Sequence, residues 1–250
     1  MISTLVAGLS LAQDAVQFKF QPKIGTEYRY RLTMEDENGK PQILDSMKLW
    51  GVFKATEVKD GWYTMQYNLV TKTPQGEEKS EPQDIYKVNS SLETQFVKSF
   101  TAKDKGSEMG ERSEAFVNGR FGVRFSPEAV KLDQEWKDML DVPAFGKEYL
   151  ASVFPGSRVT FQGTGDRSNT LMKVEAKQGT IHSLNHLDLH IVGDANGTKM
   201  EVSLKEMCDQ TSVIDREIGV PVRIDRKFEL TMTAGPRSQK LSGTLHMVRQ

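Results

Sequence analysis

Residues 27–35 read EYRYRLTME, and apolar and polar side chains alternate through the whole stretch. Tyr28, Tyr30, Leu32 and Met34 fall on one side of an extended chain, and charged or hydroxyl side chains fall on the other. A period of two residues is typical of a β-strand with one buried face. The stretch therefore predicts a half-buried strand.

Two turn signals organise the residues that follow into a three-stranded meander. Asn38-Gly39 predicts a tight type I′ reversal, because Asn and Gly tolerate the two positive φ angles that this turn needs. We expect the returning strand over 43–58, with a bulge or bend at Trp50-Gly51-Val52, where the alternation slips. Asp60-Gly61 predicts the next reversal, into a strand over 62–70.

Polar composition predicts two long loops after the meander. Residues 73–84 and 102–114 are rich in charged residues, Gly and Pro or Ser, and we expect a short strand over 94–101 between them.

The segment 126–153 is expected to be a helical insert. Ser126 suits the N-cap of a helix, and Pro127 suits its first position. A second short helix is expected over 144–153, before Pro155-Gly156. The helical interpretation depends on apolar residues that recur every three or four positions: Ala129, Leu132, Trp136, Met139 and Leu140.

The C-terminal part returns to alternating strands. Gly163-Thr164-Gly165 begins like a dinucleotide-binding motif, but no helix is expected after it, so we expect a flexible hairpin loop there. The expected strands are 158–162, 170–177, 180–192, 198–207, 222–233 and 240–248. The sequence thus predicts a mainly β fold: an antiparallel curved sheet, a sandwich or a partly open barrel, with one helical insert over about 126–153.

Length allows two domain organisations. We expect residues 13–250 to form a single β-rich domain, because β folds often reach roughly 200 to 250 residues as one unit. The alternative is two β halves, 13–125 and 156–250, joined by the helical insert.

The first twelve residues predict export. They contain an apolar stretch, Leu5–Leu11, and they end with Ser10 and Ala12 at the small-residue positions that signal peptidase prefers. We expect residues 1–12 to be a signal peptide and the mature protein to be periplasmic or extracellular, in a bacterial envelope. A truncated start and a buried N-terminal strand are the alternatives. No stretch reaches the ~20 apolar residues of a transmembrane helix, so we expect a protein that does not span the membrane.

Charge and cysteine content narrow the range of partners and of covalent cross-links that we expect for this protein. The 250 residues contain 33 basic and 34 acidic side chains, and the basic ones form no stripe, so we expect no nucleic-acid partner. Cys208 is the single cysteine and cannot form an internal disulfide. We expect it to be buried as a small apolar residue, the alternative being an intermolecular bond.

Three histidines form the most conspicuous candidate site. His182, His186 and His190 are spaced by four residues, but on a strand the first and last lie ~26 Å apart, too far to bind one ion. Two at most can share a metal, and Ile181, Leu187, Leu189 and Ile191 occupy the opposite face. We therefore expect the histidines to face solvent, with no metal and no cofactor.

Catalytic motifs are absent from the sequence. It contains neither a Gly-x-Ser-x-Gly nucleophile elbow nor a Walker-type phosphate-binding loop. Four carboxylates on the expected strands are the remaining candidates for a catalytic site, although acidic residues on a strand's polar face are ordinarily solvated: Asp188, Asp215, Asp225 and Glu229.

The chain resembles uncharacterised exported β-rich proteins of bacteria. The resemblance rests on the leader, on the opening FKFQPKIG at 18–25, on the tyrosine-rich strand after it and on IDREIG at 214–219. A looser resemblance is to periplasmic lipoprotein carriers, whose curved half-barrel is closed by helices. The resemblance implies an exported β protein and transfers no catalytic residues.

These observations favour an exported, noncatalytic binding or cell-envelope protein, whose partner is an apolar small molecule, a lipid or another envelope protein. Two alternatives stay open. One is a hydrolase with a site built from separated carboxylates, and the other is a protein-interaction module that presents the polar sheet face or the long loops.

Overall fold

The computed structural model describes residues 15–41, 49–73, 76–79, 84–99, 121–139, 158–195, 198–234 and 236–250. The predicted signal peptide, the expected loop at 102–114 and the expected helix at 144–153 lie outside these residues. The described residues form twelve strands: β1 (Glu27–Glu35), β2 (Leu49–Lys59), β3 (Trp62–Thr73), β4 (Gly76–Lys79), β5 (Asp84–Asn89), β6 (Thr94–Ser99), β7 (Glu135–Met139), β8 (Arg158–Val174), β9 (Gln178–Ala195), β10 (Thr198–Asp215), β11 (Pro221–Ala234) and β12 (Arg237–Arg249).

All twelve strands belong to one antiparallel sheet. Its order is β6-β5-β3-β2-β1-β12-β11-β10-β9-β8-β7, and β4 pairs with β3 beside this path. The prediction of a mainly β, antiparallel fold is confirmed, and the sheet is not closed on itself. In the parts of the chain that the structure describes, no helix has the length and apolar character needed to cross a bilayer.

The predicted meander of β1, β2 and β3 is present, with one turn as expected and one different. Asp60 and Gly61 have φ angles of 52° and 78°, and they join Lys59 to Trp62 as a two-residue hairpin. At the first turn Gly39 has a φ angle of 73°, whereas Asn38 is not in the positive-φ region. The Asp36 carboxylate instead accepts hydrogen bonds from the Asn38 and Lys40 N–H groups, so the type I′ prediction was wrong there.

The bulge in β2 also lies elsewhere than predicted. Trp50, Gly51 and Val52 pair regularly with β3, and the register shifts between Ala55 and Glu57. Gly51 has a packing role instead, because a Cβ atom on it would lie 3.0 Å from the ring of Tyr67.

Two segments expected as loops, 73–84 and 163–165, contain strand residues. β4 lies inside the expected loop at 73–84, and β5 begins at the end of that loop and was not predicted. Gly163-Thr164-Gly165 lies within β8, where each residue pairs with β9. Two expected strands, 158–162 and 170–177, therefore belong to one strand, which ends at Val174. Pairing with a long neighbouring strand overrides the local preference of glycine for turns.

The predicted helical insert was wrong over the residues that the structure describes. Ser126 accepts a hydrogen bond from the Glu128 N–H, as a helix cap would, but Asp133 has a φ angle of 59° and turns the chain. Residues 135–139 then form β7, paired with β8. Trp136 does pack against the core as expected, although it does so from a strand.

The core shows that the sheet is curved. Tyr86 and Val88 of β5 share one hydrophobic cluster with Leu171 of β8 and with the partly buried Trp136 of β7. β5 and β8 are eight steps apart in the sheet, which would separate them by roughly 38 Å if the sheet were flat. Both ends of the sheet therefore bend toward the same side, which we call the inner face.

Two irregular segments fill the core against the inner face. Residues 15–26 contribute Phe18 and Phe20, and residues 121–134 contribute Phe121 and Phe125, all of which are buried. The Phe121 ring lies 4.9 Å from that of Phe53. Backbone hydrogen bonds of 2.8 and 2.9 Å join the two segments at Val16 and Val130.

Candidate functional site

Polar side chains form a continuous band on the inner face, next to the aromatic core. In one cross-strand row the Ser183 hydroxyl donates to Asn169 Oδ1 at 2.8 Å, and Arg226 Nε donates to Gln210 Oε1 at 2.7 Å. In the next row Arg167 Nε donates to Asn185 Oδ1 at 2.8 Å. We call these residues the polar band: Arg167, Asn169, Ser183, Asn185, Gln210 and Arg226.

Gln210 ties this band to the segment that covers the core. Its Nε2 donates to the Phe121 carbonyl at 2.5 Å and to the Ser212 hydroxyl at 2.7 Å. Gly122, the next residue, has a φ angle of 62° and lies against the side chains of Gln210 and Arg226. The polar band is therefore held both by contacts within the sheet and by the segment that contains Phe121 and Gly122.

A series of ion pairs extends from Arg167 of the polar band to Glu93, which lies between β5 and β6 at the other end of the sheet. Asp138 Oδ2 lies 3.5 Å from Arg167 Nη1 and 3.9 Å from Arg124 Nη1, and Arg124 Nη2 lies 3.3 Å from Glu93 Oε2. Burial raises the pKa of the Asp138 carboxyl although both arginines lower it, and burial lowers the pKa of Arg167. The Asp138–Arg167 pair is therefore largely shielded from water, with side-chain exposures of 14% and 6%, whereas Arg124 and Glu93 are partly exposed.

Beyond the polar band, the inner face becomes apolar again. Leu189, Ile191 and Leu204 are buried, at 0%, 1% and 6% exposure, but they are not part of the aromatic core cluster. Toward β11 and β12 the same surface becomes accessible, with Met232 36% and Leu241 47% exposed. We call this surface the distal apolar patch: Leu187, Leu189, Ile191, Leu204, Leu230, Met232 and Leu241.

Glu206 is the one acidic side chain at the border of this patch among the described inner-face positions of β10. Its direct cross-strand neighbours are Leu187 on β9 and Leu230 on β11. Burial raises the pKa of its half-buried carboxyl, while the charge of Arg226 lowers it. Arg226 and Glu206 nevertheless form no ion pair within the described residues.

The three candidate histidines lie on the opposite, outer face of β9, and each contacts a different carboxylate. His182 Nε2 lies 2.8 Å from Asp209, His186 Nδ1 lies 3.7 Å from Asp166, and His190 Nε2 lies 3.5 Å from Glu201. The structure therefore does not bring the histidines together, and among the residues it describes no three potential metal ligands converge.

The four candidate carboxylates are also separate, and each has a basic neighbour. Asp188 pairs with Lys205, Asp215 with Arg249, Glu229 with Lys240, and Asp225 with both Arg223 and His246. Burial raises the pKa of Asp225, but the hydrogen bonds and charges of Arg223 and His246 together lower it below its usual value. Each of the four carboxylates is therefore paired with a basic side chain and not with another of the four.

Cys208 is buried, as the sequence predicted, between the polar band and the distal apolar patch. Burial raises the pKa of its thiol, which keeps the sulfur in the unreactive protonated form.

The polar band was missed at the level of sequence, although its signal is visible there. Gln210 is in phase with buried Leu204, Cys208 and Ile214 on β10, and Arg226 is in phase with buried Ile224 on β11. A polar residue at an inward position of an alternating strand needs a partner, so such positions mark buried networks.

Comparison with protein-family models, with curated proteins and with solved structures finds no match to this chain.

Proposed function

We propose that this chain is an exported, noncatalytic binding protein that carries an apolar ligand against its distal apolar patch. The observation that supports the proposal most is the change in exposure along the patch. It begins with fully buried Leu189 on β9 and ends with accessible Met232 and Leu241 on β11 and β12. A surface of this kind offers an apolar molecule a continuous contact that begins inside the fold and ends in water.

The accessible side chains of the patch supply part of the free energy needed to bind a small apolar molecule. Full burial of a Leu or Met side chain contributes about 1.5–3 kcal/mol. Leu230, Met232 and Leu241 each keep part of their surface accessible, so covering them contributes a few kcal/mol before the costs of association. The export part of the proposal is supported by the leader pattern of residues 1–12 alone.

The apolar fluorophore N-phenyl-1-naphthylamine tests the proposal directly. We expect its emission to rise on titration into the protein, and we expect Met232→Lys to weaken its binding about tenfold, because the ammonium group makes the patch polar. Met207→Lys is the matched control: Met207 is 58% exposed on the outer face of the neighbouring strand, and its substitution should leave the affinity unchanged.

Equal weakening by both substitutions would contradict binding at the patch, and so would no binding to the unsubstituted protein. Circular dichroism of both variants shows whether the sheet is intact. Native mass spectrometry of protein from an envelope or culture fraction then gives the mass of the carried molecule, because a bound ligand adds a mass that denaturation removes.

A further inference from the structure

We propose that Glu206 is the specificity residue of this site and that the ligand carries a basic amine next to its apolar part. The inference rests on the proposed function. It starts from the position of a carboxyl group that has leucine on both sides, Leu187 at its cross-strand position on β9 and Leu230 on β11.

The surroundings of Glu206 give its carboxyl group little compensation. Leu204 and Cys208, which flank it on the same face of β10, are 6% and 4% exposed. Among the residues that the structure describes, none donates a hydrogen bond to the Glu206 carboxyl group or forms an ion pair with it. A carboxylate in apolar surroundings is costly unless a cation or a hydrogen-bond donor meets it.

Arg226 is the basic residue whose charge acts on Glu206, but its position directs it elsewhere. It lies opposite Gln210 rather than opposite Glu206, and its Nε donates to Gln210 Oε1 at 2.7 Å. Its charge reaches Glu206 and lowers the pKa of the carboxyl, yet burial has the larger effect and the pKa is raised. A ligand ammonium group in direct contact would supply the pairing that Arg226 does not.

The contrast with other acidic residues on the long strands supports a special role for this carboxyl group. On the outer face of β10, Asp209 and Glu201 contact His182 and His190, and on β9 Asp188 contacts Lys205. Glu206 is the acidic residue of β10 that faces inward, beside the patch that the proposed ligand covers. Charge complementarity therefore favours a cationic group on that ligand.

Three probes with the same apolar part test the inference: decylamine, decan-1-ol and decanoate, each displacing N-phenyl-1-naphthylamine at pH 7.5. We expect decylamine to bind about tenfold more tightly than decanoate, because one charge-assisted contact is made by the first and a repulsion by the second. In Glu206→Gln the preference for decylamine should fall to about twofold or less.

Glu201→Gln is the matched control, since it makes the same substitution on the outer face of the same strand, and it should keep the tenfold preference. Glu206→Leu provides a second variant, in which decan-1-ol should bind best. A preference for decylamine that survives both substitutions of Glu206 overturns the inference. Equal binding of the three probes to the unsubstituted protein also overturns it but leaves the proposed function intact, whereas no binding of the fluorophore or of any probe overturns the proposed function itself.

Discussion

Gly122 combines a positive φ angle with close packing against the polar band. Its positive φ angle is one that residues with a Cβ atom adopt at a cost, and a Cβ atom there would collide with the side chains of Gln210 and Arg226. Gln210 in turn holds the Phe121 carbonyl, which belongs to the segment that covers the aromatic core. A single methyl group at residue 122 therefore disturbs both the band and the core.

Gly122→Ala is expected to lower the free energy of unfolding by about 2–4 kcal/mol, the sum of the left-handed backbone cost and the displacement of packed side chains. Urea unfolding followed by circular dichroism measures the change. Gly25→Ala separates the two contributions, because Gly25 has a φ angle of 81° but nothing lies within 4 Å of the position of its Cβ. We expect about 1–2 kcal/mol there. Equal losses at the two positions would show that the contact of Gly122 with the band is unimportant.

Strand β7 is the element for which sequence periodicity and structure disagree most clearly. The three- and four-residue spacing of Leu132 and Trp136 favours a helix, but EWKDM, residues 135–139, also alternates, with Trp136 and Asp138 on the less exposed side. The indole of Trp136 donates to the Arg124 carbonyl at 2.9 Å, and Asp138 faces Arg167. These contacts are made with residues distant in sequence. They favour the strand over the helix, although the local sequence is compatible with both.

Asp138→Ala is expected to destabilise the protein by about 2–4 kcal/mol, because removing the carboxylate leaves the buried Arg167 without its charged partner. The double variant Asp138→Leu with Arg167→Met removes both charges and should recover most of this loss, as measured by urea unfolding. If the double variant is instead as unstable as the sum of the two single variants, the ion pair is not the reason for the loss. Asp188→Ala, which breaks an exposed pair with Lys205, should leave the midpoint unchanged.

At the scale of the whole molecule, the sheet joins strands from the N-terminal and C-terminal parts of the chain. β1 lies between β2 and the C-terminal strand β12, and it pairs with both. The core cluster likewise combines Phe20 and Tyr30 with Ile214 and Ile224 from the C-terminal strands. If the chain formed two independent β halves, parts that share both a sheet and a core would have to unfold separately.

We expect one cooperative unfolding transition for the whole chain. A variant with Trp50→Phe and Trp62→Phe retains Trp136 on β7, and a variant with Trp50→Phe and Trp136→Phe retains Trp62 on β3. Within each variant, the urea midpoint from tryptophan fluorescence should equal the midpoint from far-ultraviolet circular dichroism, because both probes report the same event. Two resolved transitions in either variant would favour two independently folding halves.

The sequence by itself determined the mainly β class, the meander of β1 to β3, most of the long C-terminal strands and the burial of Cys208. These features follow from two-residue alternation and from turn residues such as Asp60-Gly61, which act over a few positions. The tertiary structure alone decided that residues 135–139 form a strand and that 163–165 continue one. It also decided that Arg167, Gln210 and Arg226 lie in one polar band, that Asp138 pairs with Arg167, and that Glu206 faces an apolar patch. Those outcomes depend on cross-strand register and sheet curvature, which bring together residues far apart in sequence. The local alternation marks Gln210 and Arg226 as inward-facing but does not identify their partners.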